Sequence, residues 1–120
     1  MPYKRCLLEL GTGVDLHGRD VTKAARRAVS DALRHSSVAF PHVFGYDSRL
    51  MHVEVNIAVP HHMDVRPEEV LLELPYGIKT INIVEGGLEW KETEDGDSTC
   101  MANAVIVVSL DVPDEAPAKR

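Results

Sequence analysis

Asp15 and His17 stand two residues apart in the segment Gly11-Thr12-Gly13-Val14-Asp15-Leu16-His17-Gly18. A carboxylate beside an imidazole can hold a divalent cation or move a proton at neutral pH. Three glycines in these eight residues allow a sharp bend between the apolar run Cys6, Leu7, Leu8, Leu10 and a helical segment that opens near Asp20. Three chemistries fit the pattern. In the first, a glycine-rich turn at Gly11, Gly13 and Gly18 exposes successive N–H groups at a helix start, where Arg19, Lys23 or Arg26 reinforce the binding of an anion. The spacing is neither G-x-G-x-x-G nor a Walker loop. In the second, Asp15 and His17 alternate along an extended segment, point the same way and ligate zinc or manganese. The third ligand then comes from His52 or Glu54, from His61 or His62, from His42, or from a neighbouring subunit, with His52 our assignment. In the third, Asp15 orients His17 as a metal-free acid or base, with Arg26 beside them. An architectural reading also stands, in which the glycines shape the turn, Asp15 bonds nearby backbone N–H groups and His17 closes the loop.

The elements that must position these residues are legible from periodicity. Apolar residues at Val21, Ala24, Ala25, Ala28, Val29, Ala32 and Leu33 follow the amphipathic-helix template. Asp20 or Thr22 caps this helix, and Ser36-Ser37 with Pro41 ends it. Its alanine face can lie close to a sheet, and its outer face carries Lys23, Arg26, Arg27 and Arg34. Residues 51 to 59 alternate as a half-buried strand ending at Pro60. A short helix over residues 66 to 74 begins with Pro67 and stops before Pro75. The turn Pro75-Tyr76-Gly77 leads into a strand from Ile78 to Val84. Gly86-Gly87 breaks that strand, and Leu88 to Trp90 extends it past a bulge. Residues 92 to 97 read as an acidic loop. Met101 to Val112 is the last strand, apolar on both faces and so central in the sheet, and residues 113 to 120 form a frayed tail.

The order β-α-β-α-β-β predicts one α/β or α+β domain over residues 1 to 112: a mixed sheet of about four strands with both helices on one face. The other face, showing His52, Glu54 and Asn56, is left bare. A homo-oligomer of three or more copies would cover it.

Composition narrows the function classes. The 120 residues carry a formal charge of −6, which argues against general nucleic-acid or anionic-membrane binding. Cys6 and Cys100 resemble neither a disulfide framework nor a metal knuckle and read as reduced thiols. The N-terminus lacks a signal-peptide pattern and no apolar run reaches the length of a membrane span, so we expect a cytoplasmic protein. Ser30 and Ser109 lack any nucleophile motif. His61-His62 reads as loop, and Glu85-Gly86-Gly87 permits close approach of a ligand or a second subunit.

With Gly11, Gly13, Asp15, His17 and Gly18 all in place, the chain resembles an uncharacterised family of short proteins marked by G-x-G-x-D-x-H-G near the N-terminus. The resemblance extends through Arg26, Arg27 and Asp31, Val59-Pro60, Pro75-Tyr76-Gly77 and Gly86-Gly87-Leu88, and implies no activity. Locally, Gly13-Val14-Asp15-Leu16-His17 is similar to the G-x-D-x-H of the 2-C-methyl-D-erythritol 2,4-cyclodiphosphate synthases. There, the resemblance implies, Asp and His bind a divalent metal at a trimer interface. Those enzymes take a third His before the next helix, where this chain has Gly18-Arg19-Asp20. The element order also resembles the chorismate-mutase-like trimers, whose ligands sit between subunits. Together these readings lead us to expect an oligomeric enzyme of lyase, cyclase or hydrolase type. It would act on a small anionic metabolite between subunits through Asp15, His17 and Arg26; the alternative is a non-catalytic metabolite-binding or assembly module.

Overall fold

The structure, a computed structural model, describes residues 4–34, 51–74, 77–91, 93–94 and 96–110, with the backbone alone at 4–7 and 110. Five strands form one mixed sheet: β1 (Lys4–Asp15), β2 (His52–Val59), β3 (Ile78–Glu85), β4 (Leu88–Lys91) and β5 (Ser98–Leu110). Among the described residues two helices, α1 (Val21–Arg34) and α2 (Pro67–Leu71), join them, with a 3₁₀ turn at His62–Asp64. The order across the sheet is β1-β5-β2-β3. β5 runs antiparallel to β1 and β2, and β2 runs parallel to β3 through the connection that contains α2. The α+β class and a single sheet are as the sequence predicts, and β5 is central.

Alternation decides the two faces. Val53, Val55, Ile57 and Val59 of β2 and Cys100, Ala102, Ala104, Ile106 and Val108 of β5 bury against the alanine face of α1 and against Val70 of α2. The opposite face carries Leu8, Leu10, Ile78, Val84, Leu88 and Trp90, each about half exposed, between the polar Thr12, Glu54, Thr80, Asn82 and Asn103. Among the described residues one side of the sheet is thus covered and the other bare.

Several expectations are corrected. Leu88 to Trp90 does not extend β3. The chain turns at Gly87 (φ 66°) and β4 pairs with β5, with Glu89 opposite Cys100; it takes up the flank of β5 past the end of β2, which makes a fifth strand. A side chain at Gly87 would overlap the Met101 carbonyl. β5 starts at Ser98, three residues earlier than the alternation suggested. The first strand is also longer than expected. β1 runs straight through Gly11 and Gly13 to Asp15, paired with Ala104, Ala102 and Cys100, and the true loop is only Leu16 to Asp20. Both glycines face α1: a Cβ on Gly13 would lie 2.7 Å from the Arg27 carbonyl carbon, and one on Gly11 2.9 Å from the Ala32 Cα. The glycines are therefore needed for contact between a strand and a helix backbone, not for a turn.

Asp20, rather than Thr22, caps α1: its Oδ1 accepts the Lys23 N–H at 3.0 Å. The Thr22 hydroxyl instead accepts the Arg66 N–H at 3.1 Å, tying the approach to α2 onto α1. The α1 side chains also reach the outer edge of β1, where Asp31 accepts the Thr12 N–H at 3.0 Å and Arg27 donates to the Val14 carbonyl at 2.6 Å. The expected helix stop at Ser36-Ser37 and Pro41, residues 75–76 of the turn, the end of the last strand beyond 110, the tail, and His42 lie outside the described residues. Among the described residues no helix is long and apolar enough to cross a membrane.

Candidate functional site

At the loop end of the sheet, β1, β5 and β4 place Asp15, Cys100 and Glu89 side by side on the helix-covered face. Asp15 is 3% exposed. Its Oδ2 accepts the Asp20 N–H at 2.8 Å, and its Oδ1 lies 3.8 Å from Lys23 Nζ and 3.9 Å from Arg27 Nη1. A buried carboxylate needs such partners, since an unpaired charge is costly away from water. Asp15 thus fixes the loop to the start of α1. His17 turns the other way: its ring is 82% exposed and its Nδ1 lies 3.7 Å from Asp97 Oδ2. The structure does not bring the two side chains together.

His52 is farther still. It pairs with Ser109, nine positions along β5 from the Cys100 that faces Asp15, which is about 30 Å at the rise of a strand, and it lies on the bare face. One metal ion cannot be held by Asp15, His17 and His52 of the same chain. Among the described residues no three His, Cys, Asp or Glu side chains converge as a metal site requires. Gly18 (φ 85°) is the one glycine of the three that shapes the loop.

Arg26 lies on the side of α1 that faces α2. Its Nε and Nη2 both reach Glu73 Oε2, at 2.7 and 2.6 Å. Around this pair opens a groove of about 310 Å³ lined by Asp20, Thr22, Lys23, Arg26, Arg27, Ser30, Arg66, Glu69 and Glu73. Arg66 is clasped by Glu69 one helical turn on.

On the other side of the loop lies a second cluster. Glu89 Oε1 is 2.8 Å from His61 Nε2, and Glu89 Oε2 is 3.6 Å from Arg19 Nη1. Glu85 holds the adjoining corner: Oε1 is 2.8 Å from His62 Nδ1, and its two oxygens accept the backbone N–H groups of His61 and His62 at 3.2 Å. The hydrogen bond from the His61 ring, aided by the Ser98 hydroxyl, holds the Glu89 carboxyl below the usual carboxylate range; His62 does the same for Glu85. Burial pushes the Cys100 thiol up, as does the Glu89 charge, so it stays protonated and unreactive at neutral pH. The sequence pointed to His61 and Arg19 only in passing and to Glu89 not at all. A lone Glu in a four-residue strand has no spacing signal, and only the β4–β5 pairing places it near the motif.

These pairs set an acid limit on the corner. Glu85 and Glu89 titrate lower folded than at their ordinary value of 4.5. Their stabilisation is therefore complete above the unfolded pKa and lost as pH falls through the folded one. A His61→Ala, His62→Ala double variant should unfold at a lower temperature than the parent near neutrality. The gap should close as the pH falls from about 4.5 through the lower folded values; a gap independent of pH in thermal scans would contradict these pairings.

A mixed five-stranded sheet with two helices on one face, and a polar loop end built from three strands, defines a small α+β protein. The chain belongs to the family described as conserved hypothetical protein (Lin0512_fam), whose model matches residues 5–108. It is similar to an FtsZ-like protein of unknown function from Nostoc punctiforme, known from a crystal structure. The two share 36% identity over 92% of this chain and 98% of that one, with a TM-score of 0.83. No curated protein matches.

Proposed function

We propose that this protein is the subunit of a homo-oligomer of three or more copies that binds a small anionic metabolite beside the β1–α1 loop and acts on it. The observation that carries this reading is the groove between α1 and α2, where Lys23, Arg26, Arg27 and Arg66 face three carboxylates. Lys23 and Arg27 hold Asp15 only at 3.8 and 3.9 Å, so both have donors to offer a ligand. A carboxylate or phosphate also carrying hydroxyl or amine groups suits such a lining. A zinc or manganese ion at Asp15 or His17 would draw its other donors from the ligand or from another subunit.

Thermal shift against a panel of small phosphates and carboxylates tests this, because a ligand that binds only the native state raises its melting temperature. At least one compound should do so, and Arg26→Gln should weaken its binding about tenfold or more, the cost of one charge-assisted hydrogen bond. The variant should still fold, because a half-exposed ion pair contributes about 1 kcal/mol at most. Should no compound shift the parent, the second reading takes over: a non-catalytic assembly module. It is favoured by the architectural use of Asp15, Gly11 and Gly13.

A further inference from the structure

We propose that Glu89, His61 and Arg19 form an acid–base site for a small oxyanion: Arg19 holds the anionic group, and His61, oriented by Glu89, exchanges a proton with the ligand through Nδ1. The site shares no residue with the groove between α1 and α2.

Backbone strain is the first support. Among the described residues only two non-glycine positions adopt left-handed backbone, Arg19 (φ 53°) and His61 (φ 54°). They belong to different loops, yet both side chains end on the same carboxylate. Left-handed backbone at a side-chain-bearing residue is unfavourable and persists where the surroundings impose it, typically at binding and catalytic positions. Glycine would satisfy either turn without strain; what it would lack is the side chain.

The chemistry follows from the hydrogen bonding. An ionised carboxylate only accepts, so the 2.8 Å contact places the His61 proton on Nε2 and leaves Nδ1 as the basic nitrogen. No described residue bonds Nδ1, and the ring is 40% exposed, within reach of a ligand. When Nδ1 takes a proton from an acidic O–H or C–H of the ligand, the imidazolium charge is balanced by Glu89; returning the proton completes the cycle. Glu89 Oε2 is sealed from solvent and accepts no hydrogen bond from the described residues. Arg19 Nη1 is its nearest cation, at 3.6 Å, and the half-exposed guanidinium keeps its other donors for an oxyanion. The remaining groups around the dyad are Glu85, which fixes the His61 backbone, and Ser98, Cys100 and Asp15.

Diethyl pyrocarbonate modification of His61, followed residue by residue by mass spectrometry at neutral pH, tests the proposal with inorganic phosphate and malonate as probes. His61 should react in the free protein. One or both probes should slow the reaction by about tenfold at roughly ten times the dissociation constant. Protection by phosphate alone assigns a phosphate ligand, and protection by malonate alone a carboxylate. Arg19→Gly, which relieves the strained turn and keeps the fold, should abolish protection while His61 still reacts in the absence of probe. An unreactive His61, a rate that neither probe alters, or protection that survives Arg19→Gly would overturn the site. None of these outcomes depends on Arg26.

Discussion

Gly13→Ala should strongly destabilise this protein. The new Cβ would overlap the main chain of α1 at the Ala24 carbonyl, the Ala28 nitrogen and the Arg27 carbonyl carbon, so no side-chain rotation relieves it. Overpacking in a core costs about 1–3 kcal/mol where side chains can adjust. Here the helix must lift off the sheet, exposing Ala24, Ala28 and the strand beneath, and we expect a loss at or above the top of that range. At several degrees per kcal/mol for a domain of this size, the melting temperature should fall by about 15 °C or more. Ala28→Gly should not rescue it, because the clash is with backbone rather than with the Ala28 methyl. Gly18→Ala is the contrast: nothing lies within 4 Å of its Cβ, and only the strain of φ 85° opposes it, about 1 kcal/mol. Calorimetry on the three variants settles the ranking, and equal losses at Gly13 and Gly18 would refute the close-packing account.

Leu10→Glu should break the proposed assembly. Leu10 is 60% exposed on the bare sheet face beside Val105, and among the described residues that face carries most of the large apolar side chains left in solvent. Burying an unpaired carboxylate in an apolar interface costs about 3–5 kcal/mol, so association should weaken by about a thousandfold. Leu72 is 74% exposed but follows α2, on the helix-covered side, and Leu72→Glu should leave the mass unchanged. Sedimentation equilibrium at micromolar concentration should show an oligomer for the parent and for Leu72→Glu, and a monomer for Leu10→Glu. A monomeric parent would end the oligomer reading, and an oligomeric Leu10→Glu would move the contact elsewhere.

Local periodicity carried most of the fold. The alanine stripe of α1, the alternation of β2 and the double-sided apolar centre of β5 each state in a few residues which face is buried, and the bare face follows from having both helices on one side. The site was less legible, for two physical reasons. A glycine that permits a turn and a glycine that admits a helix look identical in sequence, so Gly11 and Gly13 read as loop when they are strand. Glu89 acquires meaning only from partners 28 and 70 positions away, His61 and Arg19; such separations leave no periodic trace. The sequence does not show that Asp15 and His17 point apart: strand alternation past the glycines turns Asp15 inward while His17, already in the loop, turns out.

The central place of β5 has a consequence for how the chain is born. β1, β2 and β4 all pair with this last strand, and before it emerges from the ribosome only the parallel β2–β3 ladder has both its strands. The first strand, the glycine seam and the motif must therefore wait for residues some ninety positions downstream. Through that interval the alanine face of α1 has no completed sheet to cover, and its apolar surface stays open to non-specific association.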